Sequence, residues 1–248
     1  VKKIIFFISL YLCCTLSAFS EETVVKLAIG EWAPFTSEKE QNGKLAEEVV
    51  SAAFGLEGIR VEYAYFPWAR SMAMTENGDY DGTFPWLKTA DRMEIFHPSQ
   101  NSLIQDEGVF FHLKTTPFDW KTLEDLKKYR VGVTIGYANE GIYKKAGIKA
   151  DAVPKEELNF KKMLGDRIDV YQTSKAVGYY MINKFFTPAE ATQFTHHPTP
   201  TAMDNYYILF PKKSPKAKFF NEKFDSGFAK LKASGEYDRI LAKYMGKS

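Results

Sequence analysis

Cysteine is nearly missing. The 248 residues hold two, Cys13 and Cys14, side by side near the start, so no disulfide framework runs through the body of the chain. Net charge is missing too, with 33 Lys and Arg against 31 Asp and Glu. A protein that grips nucleic acid by neutralising phosphates carries an excess of basic residues. The basic pairs Lys127-Lys128 and Lys212-Lys213 sit beside turns instead, as solvated faces do. After the first twenty residues no uninterrupted apolar run approaches the roughly 18 needed to span a bilayer. Phosphate loops and nucleophile elbows are absent. The one histidine pair, His196-His197, would point to opposite faces of a strand and cannot easily share a metal. We expect no nucleic acid, no metal and no cofactor.

What is present begins with VKKIIFFISLYLCCTLSAFS, in which two lysines precede an apolar run over 4–16 and Ala18-Phe19-Ser20 stands before Glu21. A charged start, a short apolar middle and small residues before the cut are the marks of an export signal. Cleavage after Ser20 is expected, which places the protein outside the cytoplasm. A retained membrane anchor is the competing account, but it has no use for the Ala-x-Ser ending. Lipid attachment at Cys13 would want small residues before it, where Tyr11 and Leu12 stand. Removing 20 of 248 residues leaves 228, takes away Lys2 and Lys3, and balances the charges at 31 of each sign. That length can bury a large core without staples, in one domain or two modest ones. Aromatic residues make up 15 % of the chain, more than a core of this size demands, so some should line a site.

The pattern along the chain alternates. Thr23–Ile29 reads as a strand broken by Gly30-Glu31-Trp32-Ala33-Pro34-Phe35. A helix follows from about Lys44, where Leu45, Val49, Ala53 and Phe54 recur at spacings of three and four. Residues 61–65 alternate as a strand, Pro67 suits the first position of a helix that Gly78 ends, and 80–84 is a third strand. Strand and helix in alternation are the grammar of a parallel sheet covered by helices. The pattern then restarts. Thr122-Leu123-Glu124-Asp125 is a capping box, 130–135 is a strand ending at Gly136, and a helix begins near Asn139. Residues 160–164 are helical, 168–172 a strand and 174–183 a helix. Gly78-Asp79-Tyr80-Asp81 in the first half matches Gly165-Asp166-Arg167-Ile168-Asp169 in the second, which implies two similar lobes, although any helix-to-strand joint favours Gly and Asp. After a strand over 206–210, Ser214-Pro215 is expected to cap a long helix striped by Phe220, Phe224, Phe228 and Leu231, which Gly235 breaks before a last helix.

On these residues the chain resembles the periplasmic solute-binding proteins of the polar amino-acid type, which feed ABC importers. The resemblance spans essentially everything after the export signal. It rests on Trp32-Ala33-Pro34-Phe35, on Gly78-Asp79-Tyr80-Asp81-Gly82 and on Lys88-Thr89-Ala90-Asp91-Arg92 followed by Phe96. Val131-Gly132-Val133-Thr134-Ile135-Gly136 and the ending Leu231-Lys232-Ala233-Ser234-Gly235-Glu236-Tyr237 before Lys243-Tyr244 complete it. It implies a type II periplasmic-binding-protein-like α/β fold, each lobe a mixed sheet flanked by helices, the lobes joined by crossover strands. Residues 23–110 plus 211–248 would form one lobe and 111–210 the other.

The resemblance also implies site residues. Arg92 matches the arginine that grips a ligand carboxylate, a role suited to a planar guanidinium that gives two parallel bonds; a surface arginine paired with Asp91 or Glu94 is the alternative. Trp32 matches the aromatic that covers the ligand. Tyr137 and Asn139 stand where a turn opens a helix whose free N–H groups suit an anion. The departures are equally specific. Phe84-Pro85-Trp86-Leu87 replaces the hydroxyl residues around the carboxylate, and Thr173 and Ser174 stand where the acid for the ligand ammonium is expected. Trp68 and Arg70, at a helix start near the expected cleft, together with Trp86, would reshape the pocket toward a larger or more anionic ligand; Trp68 packed in the core is the other account.

The expected function is binding: closure over a small carboxylate-bearing solute and delivery to an inner-membrane ABC permease, by a monomer in the periplasm. Two alternatives share the scaffold. A dehydratase-like enzyme would need an acid or base, for which Glu31, Glu140 and His112 are the candidates, and a sensor would use the same closure to signal a membrane receptor.

Overall fold

The computed structural model describes residues 22–245; the expected export signal, with both cysteines, lies outside them. The chain runs β1 (Thr23–Ile29), α1 (Leu45–Gly55), β2 (Ile59–Tyr65), α2 (Trp68–Asn77), β3 (Gly82–Trp86), α3 (Ala90–Ile95), β4 (Phe96–Pro98) and β5 (Ile104–Leu113). It continues through β6 (Val131–Thr134), α4 (Ala138–Lys145), β7 (Ala150–Val153), α5 (Glu156–Leu164), β8 (Val170–Ser174), α6 (Lys175–Phe185) and α7 (Pro188–Ala191). The last elements are β9 (Phe194–His196), β10 (Ala202–Pro211), α8 (Ala217–Ala233) and α9 (Glu236–Met245).

The local signals act as expected in most places. The apolar spacing of α1 buries Leu45, Val49, Ala53 and Phe54, and Gly78 closes α2 in the left-handed conformation at φ 88°, which a residue without Cβ adopts cheaply. Pro67 is the residue before α2 and Trp68 the first inside it. The capping box at Thr122 is real, but the turn it opens, Leu123–Lys128, is a 3-10 helix. The cap expected at Ser214-Pro215 is displaced. Lys216 precedes α8 without a side-chain cap, because the Ser214 hydroxyl closes a tight turn by accepting from the Lys216 N–H at 3.3 Å.

The strands form one hydrogen-bonded path in the order β2-β1-β3-β10-β5-β8-β6-β7, with β4 attached to β10 and β9 to β5. The pairs β1/β2, β1/β3, β6/β7 and β6/β8 are parallel, as alternating strands and helices require. The long strands β5 and β10 run antiparallel to their neighbours and change partners along their length. Ala202 to Tyr206 of β10 pair with β5, whereas Tyr207 and beyond pair with β3 and β4 across a register shift. Helices α8 and α9 return to α1, where Glu57 accepts from Lys223 and Lys230 and Glu48 from Lys243.

The two Gly-Asp joints do one job twice. Asp81 accepts from the Lys26 N–H of β1 at 2.8 Å, and Asp169 accepts from the Arg130 N–H just before β6 at 2.6 Å. The backbone reciprocates in both halves, Asp81 N–H to the Lys26 carbonyl and Asp169 N–H to the Arg130 carbonyl. Each aspartate thus locks the start of a strand to its parallel neighbour.

Candidate functional site

Parallel strands expose their carboxyl ends where the order of a sheet reverses, and ligands of α/β sheets sit there. In this chain the loop after β1 carries Trp32, α2 after β2 carries Trp68, β3 ends in Trp86, the turn after β6 carries Tyr137 and β8 ends in Thr173-Ser174. All of them line one cavity of about 330 Å³, beside the point where β10 passes from β5 to β3. That volume lies within the range of small-molecule sites.

Arg92 is held in this cavity by its own helix. The Thr89 hydroxyl caps α3 by accepting from the Arg92 N–H at 3.4 Å, which sets the side chain at the first turn. Its guanidinium lies over the Trp86 indole at 4.5 Å, Nη1 donates to the Leu87 carbonyl at 2.9 Å and Nη2 to the Gly136 carbonyl at 3.2 Å. Asp91, the expected surface partner, bonds Lys145 instead at 3.2 Å. No carboxylate among the described residues pairs with Arg92, and burial pulls its guanidinium down to about 10. A half-buried cation that keeps free donors and lacks a counter-ion can take an anion.

The walls are aromatic. Trp32 is 4 % exposed, tilted against Phe35 at 4.9 Å and Tyr206 at 4.8 Å. Trp68 meets Trp86 edge to face at 5.1 Å, and a Cβ on Gly30 would lie 2.5 Å from the Trp68 ring, so only glycine lets the end of β1 accept that indole. Trp68 therefore belongs to the core and the cavity at once. Trp86 donates its indole N–H to Thr83 at 2.8 Å. The indole N–H of Trp32 is buried without an acceptor among the described residues, a cost of about 1–3 kcal/mol unless a ligand answers it.

Six of the seven residues proposed from the sequence, Trp32, Trp68, Trp86, Arg92, Tyr137 and Asn139, meet around this cavity. Arg70 does not line it. Two positions beyond Trp68, it faces another side of α2, exposed, with its guanidinium over the Phe66 ring at 5.0 Å. The helix start at Tyr137 also differs from expectation, because the Gly136 N–H is taken by the Glu140 carboxylate at 2.8 Å. The acid–base candidates are engaged as well: Glu31 accepts from the Glu38 N–H, Glu140 as stated, and His112 Nδ1 bonds the Leu113 carbonyl.

Sequence reasoning missed Gln172, Thr201, Asp204 and Tyr206, which also line the cavity. Burial and the neighbouring Asp106 push Asp204 up to about 6. Beneath Thr173 lies Glu156, the first residue of α5, which accepts from Tyr171 at 2.8 Å and from the Thr173 hydroxyl. Burial raises Glu156 to about 7, and its second oxygen has no partner among the described residues. A pair of glutamates at a helix start, Glu156 and Glu157, carries no sequence signal that one of them is buried.

No helix among the described residues is long and apolar enough to cross a membrane. Solved structures share the architecture. An arginine-binding protein from T. maritima (the P235GK mutant) is 18 % identical with a TM-score of 0.76, covering 90 % of this chain and 96 % of that one. A histidine kinase sensor domain described as similar to periplasmic binding proteins is 18 % identical with a TM-score of 0.78, covering 90 % and 96 %. An ABC uptake transporter substrate-binding protein from Streptococcus pneumoniae with bound histidine is 16 % identical with a TM-score of 0.75, covering 90 % and 93 %. At these identities the likeness carries the fold, the type II arrangement of periplasmic binding proteins. No curated protein sequence matches the chain. The family model of the bacterial extracellular solute-binding proteins, family 3, matches residues 26–247. This chain belongs to that family.

Proposed function

We propose that the protein binds a small carboxylate-bearing solute, an amino acid or a related compound, in the cavity beside the β5/β10 crossover. The observation that carries this reading is Arg92, a half-buried guanidinium without a carboxylate partner among the described residues, set in aromatic walls. Residues 23–110 with 211–248 and residues 111–210 act as two lobes that close on the ligand. A ligand shifts that equilibrium only by contacting the closed form better than the open one. Micromolar binding needs about −8 kcal/mol, and charge-assisted bonds to Arg92 of about 1.5–3 kcal/mol each, with stacking on Trp32 and Trp86, are of that scale. The solute then passes to an inner-membrane ABC permease, and the protein works as an exported monomer in the periplasm, without catalysis. The transporter-type neighbour supports delivery.

The likeness to a kinase sensor domain favours a second use of the same closure, signalling to a membrane receptor. A permease gene beside this one supports transport; a receptor gene there supports sensing.

A thermal-shift screen over amino acids, small peptides, dicarboxylates and amines tests the binding reading, since a ligand at a hundred times its Kd adds about 2.7 kcal/mol. Arg92→Ala, compared with its own unliganded melt, is expected to lose every carboxylate-dependent shift. Equal shifts in variant and parent remove Arg92 from the site, and turnover of a prephenate-like substrate overturns binding in favour of catalysis.

A further inference from the structure

The acid expected to receive a ligand ammonium at the end of β8 is Thr173 in this chain, yet the cavity is completed by a carboxylate from a different strand. Asp204, in the first half of β10, lines it together with Arg92, Thr173 and Ser174. Its register partner across the sheet is Asp106 of β5. Like charges directly opposite on antiparallel neighbours destabilise a sheet, so this pair needs a reason.

The two carboxylates are not equally provided for. Asp106 accepts from the Ser174 hydroxyl and from the Ala176 N–H at the start of α6, at 3.1 Å for the latter. Asp204 receives no hydrogen bond to its carboxylate from the described residues. The backbone nonetheless makes room for it: a Cβ on Gly108 would lie 2.6 Å from both Asp204 Oδ2 and Thr201 Oγ1. Thr201 is fixed in turn, its N–H on the Gly108 carbonyl at 2.7 Å and its hydroxyl accepting from Gln172 at 2.8 Å. A carboxylate half-buried in an aromatic-walled cavity, backed by a second carboxylate and short of donors, is a seat for a cation. Tyr206, two residues along the same strand and so on the same face, lies 4.8 Å from Trp32, and both rings line the cavity beside Asp204. Ammonium groups bind well between a carboxylate and ring faces.

We propose that Asp204 of β10 replaces the acid missing at the end of β8 and seats the ammonium of a ligand whose carboxylate is on Arg92, with the Tyr206 ring beside it. The acidic half of the site has moved from the end of β8 to the crossover strand β10. This assignment rests on the reading of the cavity as the solute site.

The test pairs each L-amino acid with its deaminated carboxylic acid, so that the ammonium is the one difference, and measures binding by calorimetry to the parent, to Asp204→Asn and to Arg92→Ala. The parent is expected to bind at least one amino acid and to lose about tenfold or more in affinity when the ammonium is removed. Asp204→Asn is expected to bind that amino acid and its deaminated partner alike, with an unliganded melting temperature no lower than the parent's because the Asp106 repulsion is relieved. An unchanged amino-acid affinity in Asp204→Asn, or equal binding of both members of the pair by the parent, overturns the proposal. Arg92-dependent binding of dicarboxylates alone also overturns it while the carboxylate-binding reading survives. Absence of any Arg92-dependent binding ends both.

Discussion

The Arg92 guanidinium donates to the Gly136 carbonyl at 3.2 Å, across 44 residues of sequence. It ties the segment after β3 to the turn after β6, two pieces of the sheet path separated by β10, β5 and β8. Two ion pairs join the same halves of the chain further out, Lys145 to Asp91 at 3.2 Å and Lys184 to Glu40 at 2.9 Å. The carboxylates come from the first half of the chain and the lysines from the second. Surface pairs of this kind are weak and screened by salt. The double variant Glu40→Gln with Asp91→Asn is therefore expected to weaken ligand binding by roughly threefold and to flatten its salt dependence. Calorimetry at low and high ionic strength reads both effects. An unchanged affinity would mean that these pairs are equally satisfied in the open form.

Glu156 makes stability depend on pH. Its carboxyl is raised from 4.5 to about 7, chiefly by burial, against hydrogen bonds from Thr173 and Tyr171 that lower it. Between those values the folded protein binds a proton that the unfolded chain has released. The contribution is thus fully favourable below pH 4.5 and is lost as the pH rises through 7, by about 3 kcal/mol in all. Glu156→Gln is expected to melt close to the parent near pH 5 and clearly above it at pH 8. Parallel pH profiles for the two proteins would show that Glu156 is solvated or paired as an anion.

Trp86 and Arg70 should separate core from surface. Trp86 is 4 % exposed, packed on Trp68 and Arg92 and bonded to Thr83. Removing so large a buried ring costs about 3–5 kcal/mol, which in a chain of this size lowers the Tm by roughly 10 °C. Arg70→Ala removes an exposed side chain that rests on Phe66, and both Tm and ligand affinity are expected to stay within experimental scatter of the parent. A large affinity loss in Arg70→Ala would bring that residue into the site through motion of α2.

Much of this was legible in local pattern. Apolar spacing placed α1, the Gly78 stop closed α2, and the order of short motifs pointed to Trp32, Arg92 and Tyr137 before any geometry was at hand. The crossover strand escaped local pattern. Gln105-Asp106-Glu107-Gly108 has neither the alternation nor the composition of a strand, yet it pairs with β10 on one side, and from Gly108 β5 pairs with β8 on the other. Its extended form comes from neighbours distant in sequence. Arg70 lies outside the cavity for a local reason: rotation about the helix axis decides which residue faces inward, and Trp68 takes that place.

The amino-acid order alone determined the alternation of strands and helices, the Gly78 stop of α2 and the cap that puts Arg92 at the first turn of α3, because each depends on contacts within a few residues. Which groups share the cavity was decided by tertiary structure alone. Asp204 stands 112 positions after Arg92 in the 248-residue sequence, and it meets the same space only because β10 exchanges β5 for β3 midway. No local period encodes that exchange, since it is set by how the buried faces of the assembled sheet fit together.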